Sequence, residues 1–240
     1  MSDLEPNKTK TSRKKQIISK ERVADHGEVF TDEREVKAML DLVGNETNRI
    51  ESTFLEPACG DGNFLVEILQ RKLKIVFDKY RKSQTECEKY LVVAVGSIYG
   101  IDILSDNVEN CRNRLLKLFT TMYRQKCRTY HSSDFEKIIA LIIRKNIVNG
   151  DALTMKYPDG SEPIVFSQWS VTTGCNVKRR DFLFKELLRV GENVSDFEER
   201  KKHPIQQKTL DLETNVVESF IDQPIREYPA VHYLRLTEYD

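Results

Sequence analysis

Between Phe54 and Leu65 the chain reads Phe-Leu-Glu-Pro-Ala-Cys-Gly-Asp-Gly-Asn-Phe-Leu. A short apolar run ends in an acid, turns through Gly60 and Gly62, and opens into a segment with helical periodicity. This stretch limits the possible folds more than any other. A strand that passes into a helix through a glycine turn presents backbone N–H groups at the helix start. The glycines let a ligand come close where a Cβ would clash. The third glycine of the dinucleotide fingerprint is missing and an acid stands at the strand tip, so the turn points to a nucleoside ligand other than NAD.

Two further segments share the apolar-run-then-acid form. Ile98–Ile103 reads as a buried strand with Asp102 near its end, and Asn146–Asp151 as a third strand with its own terminal acid. Helical spacing fills the intervals. One helix is expected from Asn63 to about Lys82, with Phe64, Leu65, Ile68, Leu69, Leu73, Val76 and Tyr80 on its apolar face. Others are expected at 84–95, from a Ser105 cap through Met122, and at 134–144. Upstream, Thr31 is expected to cap a helix that buries Val36, Met39, Leu40 and Val43 and stops at Gly44-Asn45.

Alternating strands and helices imply parallel βαβ units. Their right-handed crossovers bring the strand C-termini to one edge. Beyond Asp151 the pattern changes. A turn at Tyr157–Ser161, a strand from Ile164 to Val171 and a turn at Thr173–Asn176 imply an antiparallel hairpin. Asp181–Val190 reads as a helix, 191–215 as charged loop, and Tyr228–Leu236 as an extended strand docked on the body. The expected division is a disordered basic tail at 1–24, a ligand-binding domain at 25–155, and a hairpin with an extended tail at 156–240.

Lys plus Arg and Asp plus Glu both number 38, so net charge makes no case for nucleic acid. Distribution says more. Lys8, Lys10, Arg13, Lys14, Lys15, Lys20 and Arg22 stand against Glu21 alone, either as a solvated tail or as a phosphate-binding arm. Lys178-Arg179-Arg180 is open to the same two readings. Cysteines 59, 87, 111, 127 and 175 are scattered without a Cys-x-x-Cys pair. They read as reduced thiols of a cytoplasmic protein with no metal site. No signal peptide and no bilayer-spanning run is read, so no membrane partner is expected.

Glu56, Asp102 and Asp151, each at an expected strand tip, suit one ligand together. A carboxylate beside the glycine turn pairs with an α-ammonium group. The second accepts ribose hydroxyls, and the third an adenine amine, with Ala152 and Leu153 packing on the ring. That ligand is S-adenosylmethionine, a zwitterion suited to mixed charge. Each acid taken singly is equally an ordinary cap or turn residue.

These segments, with Gly27-Glu28-Val29-Phe30-Thr31 before them, resemble the cofactor motifs of the N6-adenine DNA methyltransferases of restriction–modification systems. The order is that family's, and the resemblance covers about residues 22–155. It implies a Rossmann-like methyltransferase fold, here with an abbreviated sheet and a small C-terminal β appendage. It also implies DNA as substrate and S-adenosylmethionine as cofactor. Phe30 and Thr31 would hold the methionine end, and Glu56, Ala58, Gly60 and Gly62 would form the loop around it. Asp102 and Ile103 would meet ribose and adenine, and Asp151, Ala152 and Leu153 the far side of the adenine.

The family's chemistry uses a further motif, (Asp/Asn/Ser)-Pro-Pro-aromatic, that accepts the amine of a flipped adenine and stacks on its ring. This chain contains no Pro-Pro; at about that place stands Phe166-Ser167-Gln168-Trp169-Ser170. Gln168 and Trp169 are the candidates for a degenerate catalytic site, with Trp169 equally readable as a core residue. Two expectations follow. Either the chain is a methyltransferase subunit that completes its site with a second polypeptide, or it is a cofactor-binding subunit that has lost transfer chemistry.

Overall fold

Strands β1 (Phe54–Glu56), β2 (Ile98–Asp102) and β3 (Ile147–Asn149) run parallel in the order β1-β2-β3. The structure is a computed structural model that describes residues 19–26, 28–185 and 224–240. The expectations for 1–18, for 186–190 and for 191–215 fall outside those residues.

Side chains alternate across a strand, and the register turns this into two cores. Phe54, Ile98 and Ile147 join a large cluster with the helices. Leu55, Tyr99, Ile101 and Val148 face a smaller cluster with Ile164, Phe166 and Phe184. All five residues of β2 are buried, as the middle strand of a covered sheet requires.

The helices on the large-core side are α4 (Asn63–Tyr80), α5 (Gln84–Gly96), α6 (Ser105–Lys126) and α7 (Ser133–Asn146). They form where the apolar spacing predicts. In α4, Leu65, Leu69, Leu73 and Val76 recur at intervals of four or three and are fully buried. Ser83 and Ser132 cap α5 and α7 by accepting from the N–H groups of Glu86 and Asp134. α6 begins at Ser105 but takes no cap from it; the Asp102 carboxylate accepts the preceding Leu104 N–H instead.

Upstream lie α1 (Lys20–His26), α2 (Glu33–Leu42) and α3 (Gly44–Thr47). Four expectations change in this segment. Lys20–His26 is helical, so the tail does not extend to residue 24. Asp32, not Thr31, caps α2 by accepting from Arg34 N–H at 2.9 Å. Gly44 opens α3 rather than ending the segment, and Met39 and Val43 stay exposed.

A second, antiparallel sheet holds the hairpin of β4 (Val165–Val171) and β5 (Asn176–Leu183). Short strands β6 (Arg226–Glu227) and β7 (Val231–His232) pair with β5. Asp181–Leu183 is therefore strand, not helix. Asp181 is buried there because Arg179 holds it in an ion pair at 2.8 Å. Of Tyr228–Leu236 only Val231 and His232 are in strand, and a 3-10 helix spans Tyr233–Tyr239. That turn swings Tyr233 inward, where its hydroxyl donates to buried Glu88 at 2.6 Å.

Candidate functional site at the strand tips

The three strand tips meet at one edge, as the parallel reading requires. Cys59 N–H donates to Ile101 O at 2.8 Å, and Gly150 N–H to Asp102 O at 3.0 Å. Asn149 Nδ2 reaches both Asp102 O and Ile103 O at 2.9 Å. The glycine turn, the β2 tip and the β3 tip are thus one hydrogen-bonded surface.

Both glycines of the turn are left-handed, Gly60 at φ +52° and Gly62 at φ +90°. A Cβ on Gly60 would meet the Phe30 ring at 3.0 Å, and one on Gly62 would meet Cys111 Sγ at 2.5 Å. Phe30 therefore lies across the turn, as the upstream segment suggests. Thr31 contributes its carbonyl, which accepts from Asn63 Nδ2 at 2.9 Å. Arg114 of α6 anchors the far side through the carbonyl and carboxylate of Asp61, at 2.6 and 2.7 Å.

Two acceptors beside this turn lack adequate donors. Glu56 is half-buried and, among the described residues, accepts only a long bond from Ala58 N–H, at 3.4 Å. Burial pushes its carboxyl above the usual range, and that one bond offsets only part of the effect. Asn63 Oδ1 is buried with no hydrogen-bond partner among the described residues, while its amide nitrogen donates to Thr31 O. Ala58 is exposed at the mouth of the turn, and Ile103 is an exposed apolar side chain at the β2 tip.

Asp102 differs from expectation. It is 8% exposed, and its oxygens accept from Gly60 N–H (2.8 Å), Leu104 N–H (2.9 Å) and Asn107 Nδ2 (3.3 Å). A carboxylate has roughly four acceptor positions. Taking two ribose hydroxyls would require one of these donors, such as Gly60 N–H, to let go. Asp151 is also occupied: it accepts from Leu153 N–H and from Thr154 Oγ1, each at 2.9 Å, closing its own turn. These bonds hold its carboxyl below the ordinary range. Ala152 packs on the smaller core, but Leu153 is 93% exposed.

A group missed by the sequence reading stands behind Asp102. Arg22, expected in the tail, pairs with Glu28 at 2.6 Å and Asp106 at 2.7 Å. Glu28 accepts from Asn107 Nδ2 at 2.6 Å, and Asn107 in turn reaches Asp102. This chain of bonds ties α1 and the Phe30 segment to the start of α6. Glu28 sits in the Gly-Glu-Val-Phe-Thr motif, which was the available signal; Arg22 had none beyond its charge.

Gln168 and Trp169 do not reach this edge. Trp169 is buried in the large core, with its ring against Gly96 of α5 and its indole N–H donating to Asn146 Oδ1 at 3.4 Å. It is a core residue and not a platform for a flipped base. Gln168 pairs in register with Arg180 on the hairpin, and its Oε1 is buried without a partner among the described residues.

Comparisons of the chain with protein-family models, with curated proteins and with solved structures give no match.

Proposed function

We propose that this chain binds S-adenosylmethionine at the β1 and β2 tips, on a Rossmann-like methyltransferase fold. In this reading it serves methylation of adenine N6 in DNA within a restriction–modification system, together with a second subunit. The under-satisfied Glu56 carboxylate beside a left-handed glycine turn carries the reading. Glu56 and Asn63 Oδ1 are acceptors short of a donor, and the α-ammonium of the cofactor is a cationic donor. A cation beside Glu56 relieves the disadvantage that burial gives its charge.

Phe30 walls the methionine side, its ring seated against the bare Gly60, while the bare Gly62 lets Cys111 of α6 pack against the turn. Asp102 first holds the loop through Gly60 N–H and takes ribose in exchange for that bond. Ile103 offers an apolar edge to the adenine. The cofactor supplies an electrophilic methyl group on a sulfonium. The acceptor amine would be oriented by the second subunit, since Trp169 is committed to the core. That same burial favours a second reading, in which the chain binds the cofactor without transferring its methyl.

Transfer of labelled methyl to DNA decides between them, measured with the chain alone and with its partner, alongside calorimetry of cofactor binding. Glu56→Gln and Asp102→Ala should each weaken cofactor binding by more than tenfold. Unchanged affinity in both would remove the site assignment. Cofactor binding without transfer in either setting would leave the non-catalytic reading.

A further inference from the structure

A cleft of about 800 Å³ lies between the free edge of β3 and the C-terminal β module. Cations enter it from four elements: Arg112 of α6, Arg144 and Lys145 of α7, Arg179 of β5 and Arg226 of β6. Its carboxylates are already engaged. Asp181 is held by Arg179 and Glu238 by Arg235. Asp240 reaches in to pair with both Arg144 and Lys145.

Among the described residues, two cations remain without a carboxylate. Arg112 donates only to carbonyls, Ile147 O at 2.8 Å and Arg144 O at 3.2 Å. Burial, and then the neighbouring Arg144 charge, hold its guanidinium below the ordinary value. Arg226 lies over the Tyr228 ring at 4.7 Å, with no ion pair among the described residues. Like charges gathered in one cleft repel one another, and a multiply charged anion relieves that repulsion. Tyr157 and Tyr239, both half-buried, add aromatic walls, which phosphate alone does not need and which nucleic-acid bases stack on, while the buried Tyr228 ring is taken by Arg179 and Arg226.

We propose that this cleft receives a single strand of nucleic acid, with phosphodiester oxygens on Arg112, Arg144, Lys145 and Arg226. Asp240 occupies the Arg144–Lys145 end as an internal anion that the strand displaces. The choice of nucleic acid over another polyanion rests on the DNA reading above. Asn149 links the two sites: it lines the cleft and also donates to Asp102 O at the cofactor edge.

The test is fluorescence anisotropy on the full chain with a labelled single-stranded oligonucleotide, the matching duplex, and inorganic polyphosphate. The single strand should bind best. Arg112→Ala and Arg226→Ala should each weaken it by about threefold to tenfold and lower the salt slope by about one. Asp240→Asn should tighten binding severalfold, opposite in sign to the arginine variants. Should Arg112→Ala fail to fold, Arg226→Ala and Asp240→Asn decide the matter. Unchanged binding in those two, or equal binding of polyphosphate or duplex, would overturn the proposal. Oligonucleotide binding that ignores the cleft variants would sink this site and leave the DNA reading standing. Cleft-dependent strand binding without cofactor affinity would do the reverse.

Discussion

A methyl group on Gly62 would sit 2.5 Å from Cys111 Sγ, on a backbone at φ +90°. Both penalties are local, and they differ in kind. Left-handed backbone costs an L-residue roughly 1–2 kcal/mol, and overpacking typically adds about 1–3 kcal/mol. Gly62→Ala should therefore lose about 2–5 kcal/mol in urea unfolding. Adding Cys111→Ala should restore the packing part and leave the backbone part; full recovery would mean that φ carries no strain. The glycines were legible in the sequence because a positive φ demands their residue type. The partners of Asp102 were not. Gly60, Leu104 and Asn107 become its donors only after the turn and the start of α6 close around it. Thr31 and Asp32 are both good caps one position apart, and only the formed helix chose Asp32.

The helices were the most legible elements, because their apolar spacing is repeated over several turns. The limits of α4, α5 and α7 fall within two residues of those expected from pattern and caps. The C-terminal elements were misread for the opposite reason. Tyr233–Tyr239 is too short for a period to show, and its anchor lies 145 residues away on α5. There, Glu88 is fully buried and accepts from Tyr123 Oη at 2.5 Å and Tyr233 Oη at 2.6 Å. Tyr233→Phe removes one donor from a buried carboxylate, a loss of about 1–3 kcal/mol. Hydrogen exchange should speed up across Tyr233–Tyr239 and much less in α4. Uniform acceleration would mean that the contact supports the whole domain and not this element.

At the scale of the whole molecule, one buried cation joins the segments that lead into β1 and β2. Lys72 of α4 is fully buried and donates to Ile50 O at 2.9 Å, to Ser97 Oγ at 2.5 Å and to Ser52 O. Burial lowers its pKa from 10.5 to about 7, with Glu51 and Glu46 opposing. Below about pH 7 both folded and unfolded chains hold the proton, so this group adds no pH dependence there. Between about 7 and 10.5 only the unfolded chain holds it, and stability rises with pH. The slope is at most about 1.4 kcal/mol per pH unit. Urea unfolding at pH 7 and pH 9.5 should show this rise in the natural chain and its absence in Lys72→Met. Parallel pH curves would place the titration elsewhere.

Sequence alone determined the alternation of strands and helices, the glycine turn with its acid, and the meeting of three tips at one edge. Each depends on local spacing or on a single residue's backbone preference. Tertiary structure decided which of those acids remain available, that Trp169 belongs to the core, and that Arg22 supports the site. It also gathered Arg112, Arg144, Lys145 and Arg226 into one cleft. Those outcomes depend on pairs far apart in the chain, brought together only when the two sheets and the helices pack.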